Sequence, residues 1–344
     1  MNEKELFMKA PWRKLLSLCF VLAAFTLTGC EDVKNASHYF VPYQYASYKP
    51  ADVIAGPDKH EFKPLQRHAD KPYLDFFAVG CAGSGNQGQY RLAELMAQTA
   101  EKQKAAFVLY LGDNFYGAGV RSVMDSQWKT KFENVFSQPS LEIPFYAVLG
   151  NHDYLRNPQA QVEYTAVSSR WKMPERYYTF SQTLEDGTLV DFFALDTQPV
   201  HQGGGKEQIA WLEEKLSASK ADWKIVFGHH PVYTGDKLHR SKTRNVREAL
   251  EPLLIKYEVP LYLSAHSHNI EVMREVSGVH YVISGAGSRP RNIYWGENTR
   301  FAYAAIGFTS LQISRDGIDV QFIGLGEDPV KYAFTIEKKP AQLV

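Results

Sequence analysis

Aspartate, asparagine and histidine recur in this chain directly after short apolar runs that end in a small residue. The clusters are Gly112-Asp113, Gly150-Asn151-His152, Gly228-His229-His230 and Ala265-His266-Ser267-His268, and a fifth, Gly80-Cys81, carries a thiol. Carboxylate and amide oxygens and imidazole nitrogens are ligands for divalent and trivalent metal ions. Two such ions about 3.5–4 Å apart can clamp a phosphoester, hold a hydroxide nucleophile and stabilise an in-line displacement. That chemistry needs a carboxylate shared by both cations. Asp113 is the carboxylate that follows an apolar run with ligand types before and after it in sequence, so it is the expected bridge. Asn151 offers a hard neutral oxygen, and His229 and His266 offer nitrogens; with Asp113 they make a divalent site. His268, two residues past His266, can approach the same pair of metals from an extended turn. Tyr116, three residues past Asp113, can supply a phenolate.

The elements that must carry these residues follow from the apolar runs. Leu74–Val79, Ala106–Leu111, Phe145–Leu149, Val190–Leu195, Lys224–Phe227 and Pro260–Ser264 read as buried strands. Glycine at a strand end lets the backbone turn sharply and present the next side chain, and ligands of open α/β sheets bind beyond the carboxyl ends of the strands. Helices are expected over Gln87–Lys104, where Leu92, Leu95, Met96 and Ala100 share a face, and over Gln127–Phe136, Lys206–Leu216 and Asn245–Tyr257. Later runs, Ile270–Arg274, His280–Ser284, Gly307–Ser314, Ile318–Ile323 and Lys331–Ile336, are strands alone. The chain should therefore begin as βαβ units and finish as an antiparallel run, with no internal repeat and no linker between 74 and 340.

The phrases Gly-Asp-Asn-Phe-Tyr (112–116), Leu-Gly-Asn-His-Asp (149–153), Gly-His-His-Pro (228–231), His-Ser-His (266–268) and Ser-Gly-Ala-Gly (284–287) stand in an order that resembles the calcineurin-like metallophosphoesterases, most closely their tartrate-resistant purple acid phosphatase branch. The resemblance covers roughly residues 74–340. It implies an α/β fold, a four-layer αββα sandwich of two mixed sheets. It implies two metal ions, iron and a divalent ion (Zn, Fe or Mn), with Tyr116 on ferric iron, and a small phosphomonoester as substrate. It also implies that His152 binds the phosphoryl group and protonates the leaving alkoxide. His239, ten residues after His229, stands where that branch places a second histidine. His230 occupies a position usually aromatic in the family and reads as a neighbour of the ligands.

Two departures matter. Cys81 stands where the family has an aspartate ligand of the iron site, and Asp75 lies too far back along the strand to replace it. Three readings stay open: Cys81 ligates as a thiolate and favours a softer ion such as zinc; Cys81 is a bystander beside a weakened site; or the first metal is lost, leaving a binding scaffold without turnover. Six of the seven expected ligands are present, which puts the enzyme first. The other departure is the short connection His201-Gln202-Gly203-Gly204-Gly205, in place of the long loop that covers the active site in mammalian members.

Of the 344 residues, 44% are hydrophobic and 22% charged, and Lys+Arg 38 balances Asp+Glu 38. The composition is globular and lacks the basic excess of a nucleic-acid binder. The N-terminus reads as an address. Lys4, Lys9, Arg13 and Lys14 precede Leu15–Thr28, an uncharged, mostly apolar run shorter than the ~20 residues of a membrane span. Leu27-Thr28-Gly29-Cys30 resembles a bacterial lipobox, so residues 1–29 are expected to be cleaved and Cys30 lipidated. Residues 30–70 would be a tether and 71–344 the catalytic domain. Glu31 after the cysteine favours the outer membrane, facing the periplasm. Such a chain keeps Cys81 as its sole thiol, forms no internal disulfide, and is expected to be a monomer.

Overall fold

The computed structural model describes residues 53–55 and 71–338. The chain divides into Met1–Lys49 and Pro50–Val344, and every described residue belongs to the second unit. The leader, Cys30 and most of the expected tether lie outside the described residues. Within that tether, Val53–Ala55 form a strand, β1.

One sheet has seven strands: β2 (Leu74–Val79), β3 (Phe107–Tyr110), β4 (Phe145–Ala147), β5 (Trp171–Lys172), β13 (Gly307–Ile313), β14 (Gly317–Gly324) and β15 (Val330–Glu337), ordered β15-β14-β13-β2-β3-β4-β5. The other has eight: β1, β6 (Tyr178–Thr183), β7 (Leu189–Ala194), β8 (Trp223–Phe227), β9 (Leu261–Ser264), β10 (Ile270–Met273), β11 (His280–Ser284) and β12 (Thr299–Tyr303), ordered β1-β12-β10-β11-β9-β8-β7-β6. Both sheets are mixed. β2 to β5 run parallel, as do β7, β8, β9 and β11, and antiparallel strands extend each set. The late strands are therefore not a purely antiparallel run: β11 inserts between β9 and β10, pairing parallel with the first and antiparallel with the second.

Continuous apolar runs such as Leu74–Val79 are buried on both faces, as parallel strands between layers must be. Between the sheets the core is aromatic. Phe192 meets Phe76 and Phe107 edge-on, each at 5.4 Å, and Tyr146 stacks on Phe180 at 3.7 Å. On the outer faces, α1 (Gln87–Gln103) buries Leu92, Met96 and Ala100 within this core. After α2 (Gln159–Glu163) and α3 (Thr197–His201), helices α4 (Lys206–Ala218) and α5 (Arg244–Lys256) bury Leu212, Leu216, Val246, Leu250 and Leu254 against Phe193, Val226 and Tyr262 of the eight-stranded sheet. The layers are helix, sheet, sheet, helix. α1 is bounded as its ends dictate: Asn86 caps the N-terminus by accepting from Gln89 N at 2.9 Å, and left-handed Lys104 closes the other end onto Ala100 O.

The expected helix over 127–136 is a short π-helical segment, Lys129–Glu133. Phe132 is buried on it and Trp128 and Phe136 beside it, while Gln89 and Arg170 donate to the carbonyls of Lys131, Glu133 and Phe136. β6 escaped the sequence reading because it is an edge strand with one exposed face, so its apolar residues alternate with Thr179, Ser181 and Thr183. Among the described residues no helix is long and apolar enough to cross a membrane.

Candidate metal centre

The polar strand ends meet at one place, but they come from two sheets. β2, β3 and β4 deliver Cys81, Asp113 and Asn151-His152; β8 and β9 deliver His229 and His266-Ser267-His268. The approach is close. A Cβ on Gly112 (φ +83°) would lie 2.7 Å from His229 Nδ1, and one on Gly150 would lie 2.2 Å from Asp113 N. Cys81, Asp113 and His266 adopt left-handed φ of 53°, 54° and 66°. Each costs about 1–3 kcal/mol, a strain that clusters at functional sites because the surrounding fold enforces it.

Asp113 is buried at the centre. Its Oδ1 accepts from His152 N at 3.0 Å and lies 3.5 Å from His229 Nε2, while Tyr116 Oη is 3.0 Å from its Oδ2. The two carboxylate oxygens thus face different groups. On one side Tyr116 Oη is also 3.0 Å from His268 Nε2, and Cys81 Sγ, an Asp113 oxygen and a His268 nitrogen lie within 4.8 Å of one another. On the other side His229 Nε2 is 3.1 Å from Asn151 Oδ1 and 3.2 Å from His266 Nδ1.

These distances place lone pairs against lone pairs. His229 Nδ1 donates to Leu111 O at 2.8 Å and His268 Nδ1 to Arg289 O at 2.9 Å. Each neutral ring therefore presents a bare Nε2 inward, the orientation of a metal-binding histidine with its second nitrogen on a carbonyl. His229 Nε2 then faces the amide oxygen of Asn151 and the carboxylate of Asp113, with no proton among them. Tyr116 has one proton for two acceptors. The donor set is that of a cation site, with amide, carboxylate and imidazole on one side and thiol, phenol, carboxylate and imidazole on the other.

The electrostatics agree. Burial lowers His229 and His266, with His266 well below the ordinary value, and burial followed by the Arg291 charge takes His268 down to about 3, so burial favours the neutral form of all three rings. Burial works to raise Asp113, but His229, when it carries a proton on both nitrogens, and the His152 imidazole and N–H hold the carboxyl below its usual range. Burial and then the Asp113 charge push up both the Cys81 thiol and the Tyr116 phenol. Without a cation those two stay protonated; a bound metal ion inverts that preference.

The other predicted residues sit around this centre. The His152 ring packs against Tyr116 with centroids 4.7 Å apart, and its Nδ1 bonds Gly117 O. His239 lies with its ring centroid 4.1 Å from that of His266. His230 stacks on His201 at 4.3 Å, bonds Thr197 Oγ1 through Nδ1, and belongs to a second set of convergent ligand atoms with His229 and His266.

Sequence reasoning missed four supporting residues. Asp153, buried and pushed up to about 7 by burial and Asp113, accepts from the backbone N–H of Gly150, Asn114 and Phe115 and ties the β3 and β4 loops together. Its signal was its place inside Leu-Gly-Asn-His-Asp. Thr197 Oγ1 accepts from the N–H of His229 and His230, with no signal in its local sequence. Asp236 bonds His239, a pairing that its i, i+3 spacing could have suggested. Glu271, fully buried, accepts from Gly235 N at 2.7 Å, from Thr234 Oγ1 and from Asn269 Nδ2.

A two-sheet sandwich whose facing strand ends gather carboxylate, amide and imidazole is the architecture of a metal-dependent phosphoesterase. The calcineurin-like phosphoesterase family model matches residues 60–269, and the chain belongs to that family. Tartrate-resistant acid phosphatase type 5 of Mus musculus is 33% identical over 296 residues, which span 76% of this chain and 90% of the relative. Purple acid phosphatase 3 of Arabidopsis thaliana is 32% identical over 278 residues, 72% of this chain and 74% of the relative. Among solved structures, GAP50, the anchor in the inner membrane complex of Plasmodium, matches with a TM-score of 0.71 at 26% identity, covering 78% of this chain and 90% of that one. The purple acid phosphatase of yellow lupin seeds matches at 0.59 with 16% identity over 78% of this chain and 54% of its own, a likeness of fold.

Proposed function

We propose that this chain is a dinuclear-metal acid phosphatase that hydrolyses small phosphomonoesters at the lipid-tethered surface of the cell envelope. The observation that carries the reading is the proton-poor convergence of His229 Nε2, Asn151 Oδ1, His266 Nδ1 and Asp113 from two sheets. Asp113, Asn151, His229 and His266 would hold a divalent ion (Zn, Fe or Mn). Asp113, Tyr116, His268 and Cys81 would hold the other, iron or a softer ion, with Asp113 shared. When bound, the ions supply positive charge for the phosphoryl oxygens and an activated water for attack on phosphorus.

The side chains do the rest. His152, tied to Asp113 through its backbone N–H, binds a phosphoryl oxygen and assists the leaving group with a proton, and His239 is the second imidazole within reach. The mouse and Arabidopsis relatives are named acid phosphatases, which supports the monoester substrate and an acid optimum. The scaffold reading is the less favoured one, because His229 and His268, each with Nδ1 on a backbone carbonyl, turn Nε2 toward Asn151, Asp113 and Tyr116, which supports a cation site.

The test is Asp113→Asn. It keeps an acceptor for the His152 N–H and removes the charge shared by both sites. We expect bound metal, measured by elemental analysis, to fall by at least one equivalent, and turnover of a generic phosphomonoester to fall by more than the roughly 10–100-fold of an outer-shell change. Wild-type-like metal content and turnover in a folded variant would overturn the reading.

A further inference from the structure

The segment after β11 carries two arginines that neither the metal ligands nor His152 and His239 account for. β11 ends at Ser284, and the chain continues through Gly285-Ala286-Gly287-Ser288 to Arg289-Pro290-Arg291. Three hydrogen bonds fix this segment on the centre. Ser288 Oγ donates to Cys81 O at 2.8 Å, Arg289 O accepts from His268 Nδ1 at 2.9 Å, and Arg291 N donates to His268 O at 2.7 Å. Pro290, between the two arginines, has its own φ locked by its ring. The backbone that carries both guanidinium groups is therefore tied to a residue of the metal centre on either side of Pro290.

From this anchored backbone the Arg289 side chain reaches over Tyr116, with its guanidinium 5.7 Å from the ring centroid. The same ring packs against His152 at 4.7 Å, so Arg289 and His152 stand no further apart than those two distances together. Lys131 is a third cation nearby: its Nζ donates to Tyr116 O, and burial and then the Arg289 charge hold its ammonium below the ordinary value. Asp125 acts on Lys131, and Arg291 acts on Asp236. Arg289 has no such counterpart: among the described residues its guanidinium makes no ion pair and no hydrogen bond, and the residue is exposed. A guanidinium is charged at any working pH and presents a planar fork of N–H donors that matches a carboxylate or a phosphate. We propose that Arg289 is a specificity-determining residue of the phosphatase site: it binds a second anionic group, a carboxylate or a further phosphate, on the part of the substrate that does not react. The preferred substrates are then monoesters that carry two anions. The reacting phosphoryl group lies at His152 and the metal ligands, and the second oxyanion, a few bonds along the substrate, accepts from the guanidinium. Arg291 adds positive charge on the same clamped segment.

The inference rests on the phosphatase reading and deepens it, and its test separates the two. The metal-loaded wild-type chain, Arg289→Gln and Arg289→Lys are compared on butyl phosphate, on the same ester with a terminal carboxylate, and on the same ester with a terminal phosphate. In the wild-type chain we expect KM for at least one charged ester to lie about fivefold or more below that for butyl phosphate, with kcat alike, because a contact to a non-reacting group is made equally in the ground and transition states. Which charged ester gains more tells carboxylate from phosphate. Arg289→Gln should remove the preference, and Arg289→Lys, which keeps the charge without the fork, should retain part of it. In parallel, calorimetric titration with the non-hydrolysable phosphonate analogues of the three esters should give the same order of Kd. Charged esters and analogues bound no better than the neutral ones by the wild-type chain, or a preference that survives Arg289→Gln, would overturn the proposal. A wild-type chain that turns over none of the esters would sink the phosphatase reading instead, and the order of Kd among the phosphonates would still decide the role of Arg289.

Discussion

Cys81 meets Asp113, Tyr116 and His268 as a thiol whose ionisation is opposed by burial and by the neighbouring carboxylate. Only a cation placed among these groups makes the thiolate favourable, and a thiolate selects softer ions than a carboxylate does. In the cobalt-loaded protein we expect a near-ultraviolet thiolate-to-cobalt band, lost in Cys81→Asp, while total cobalt stays the same. Identical spectra for the two proteins would make Cys81 a bystander. The residue types of the site were legible in the sequence because ligand chemistry belongs to side chains and does not depend on context. Which nitrogen of each histidine faces inward was not legible. That depends on Leu111 O and Arg289 O, backbone atoms far away in sequence.

Strand β10 and the loop 234–239 form one unit through Glu271, whose carboxyl is pushed up to about 7 by burial against an ordinary value near 4.5. The raised value fixes the sign of its contribution. Below about pH 4.5 the group is protonated in both states and its stabilising contribution is complete; as pH rises towards 7 the unfolded chain ionises first and that contribution drains away. The full swing is on the order of 3 kcal/mol. Glu271→Gln lacks this dependence, so the stability of the wild-type chain relative to the variant should fall between pH 4.5 and 7.5 in denaturant titrations. A difference between the two proteins that does not vary with pH would mean that Glu271 is charged throughout. At this scale the long apolar runs were readable, and the strands they predict stand within a residue or two of expectation. The edge strands β6 and two-residue β5 were not, because half-exposed or very short strands carry too little periodicity to separate from loops.

For the molecule as a whole, the centre joins two sheets that otherwise meet through aromatic packing. Asp113 and Asn151 come from one sheet, and His229 and His266 from the other. A ligand that binds only the folded chain stabilises it by about 2.7 kcal/mol at 100 times its dissociation constant. For a chain of this size that is a shift of roughly 4–5 °C. Exhaustive chelation should therefore lower the melting temperature by about that amount, with zinc or iron restoring it. A melting curve indifferent to chelator and metal would show that no ion links the sheets.

The sequence by itself determined the ligand inventory, the order of the motifs, the βαβ start and the family, because those depend on residue type and on spacing along one chain. The tertiary structure alone decided that the strand ends converge from two sheets rather than one, that β11 slips between β9 and β10, and that Asp153, Thr197, Asp236 and Glu271 hold the site in place. The physical reason is common to all of these. They are settled by contacts between segments distant in sequence, where burial and hydrogen-bond satisfaction choose among pairings that local preference leaves equal.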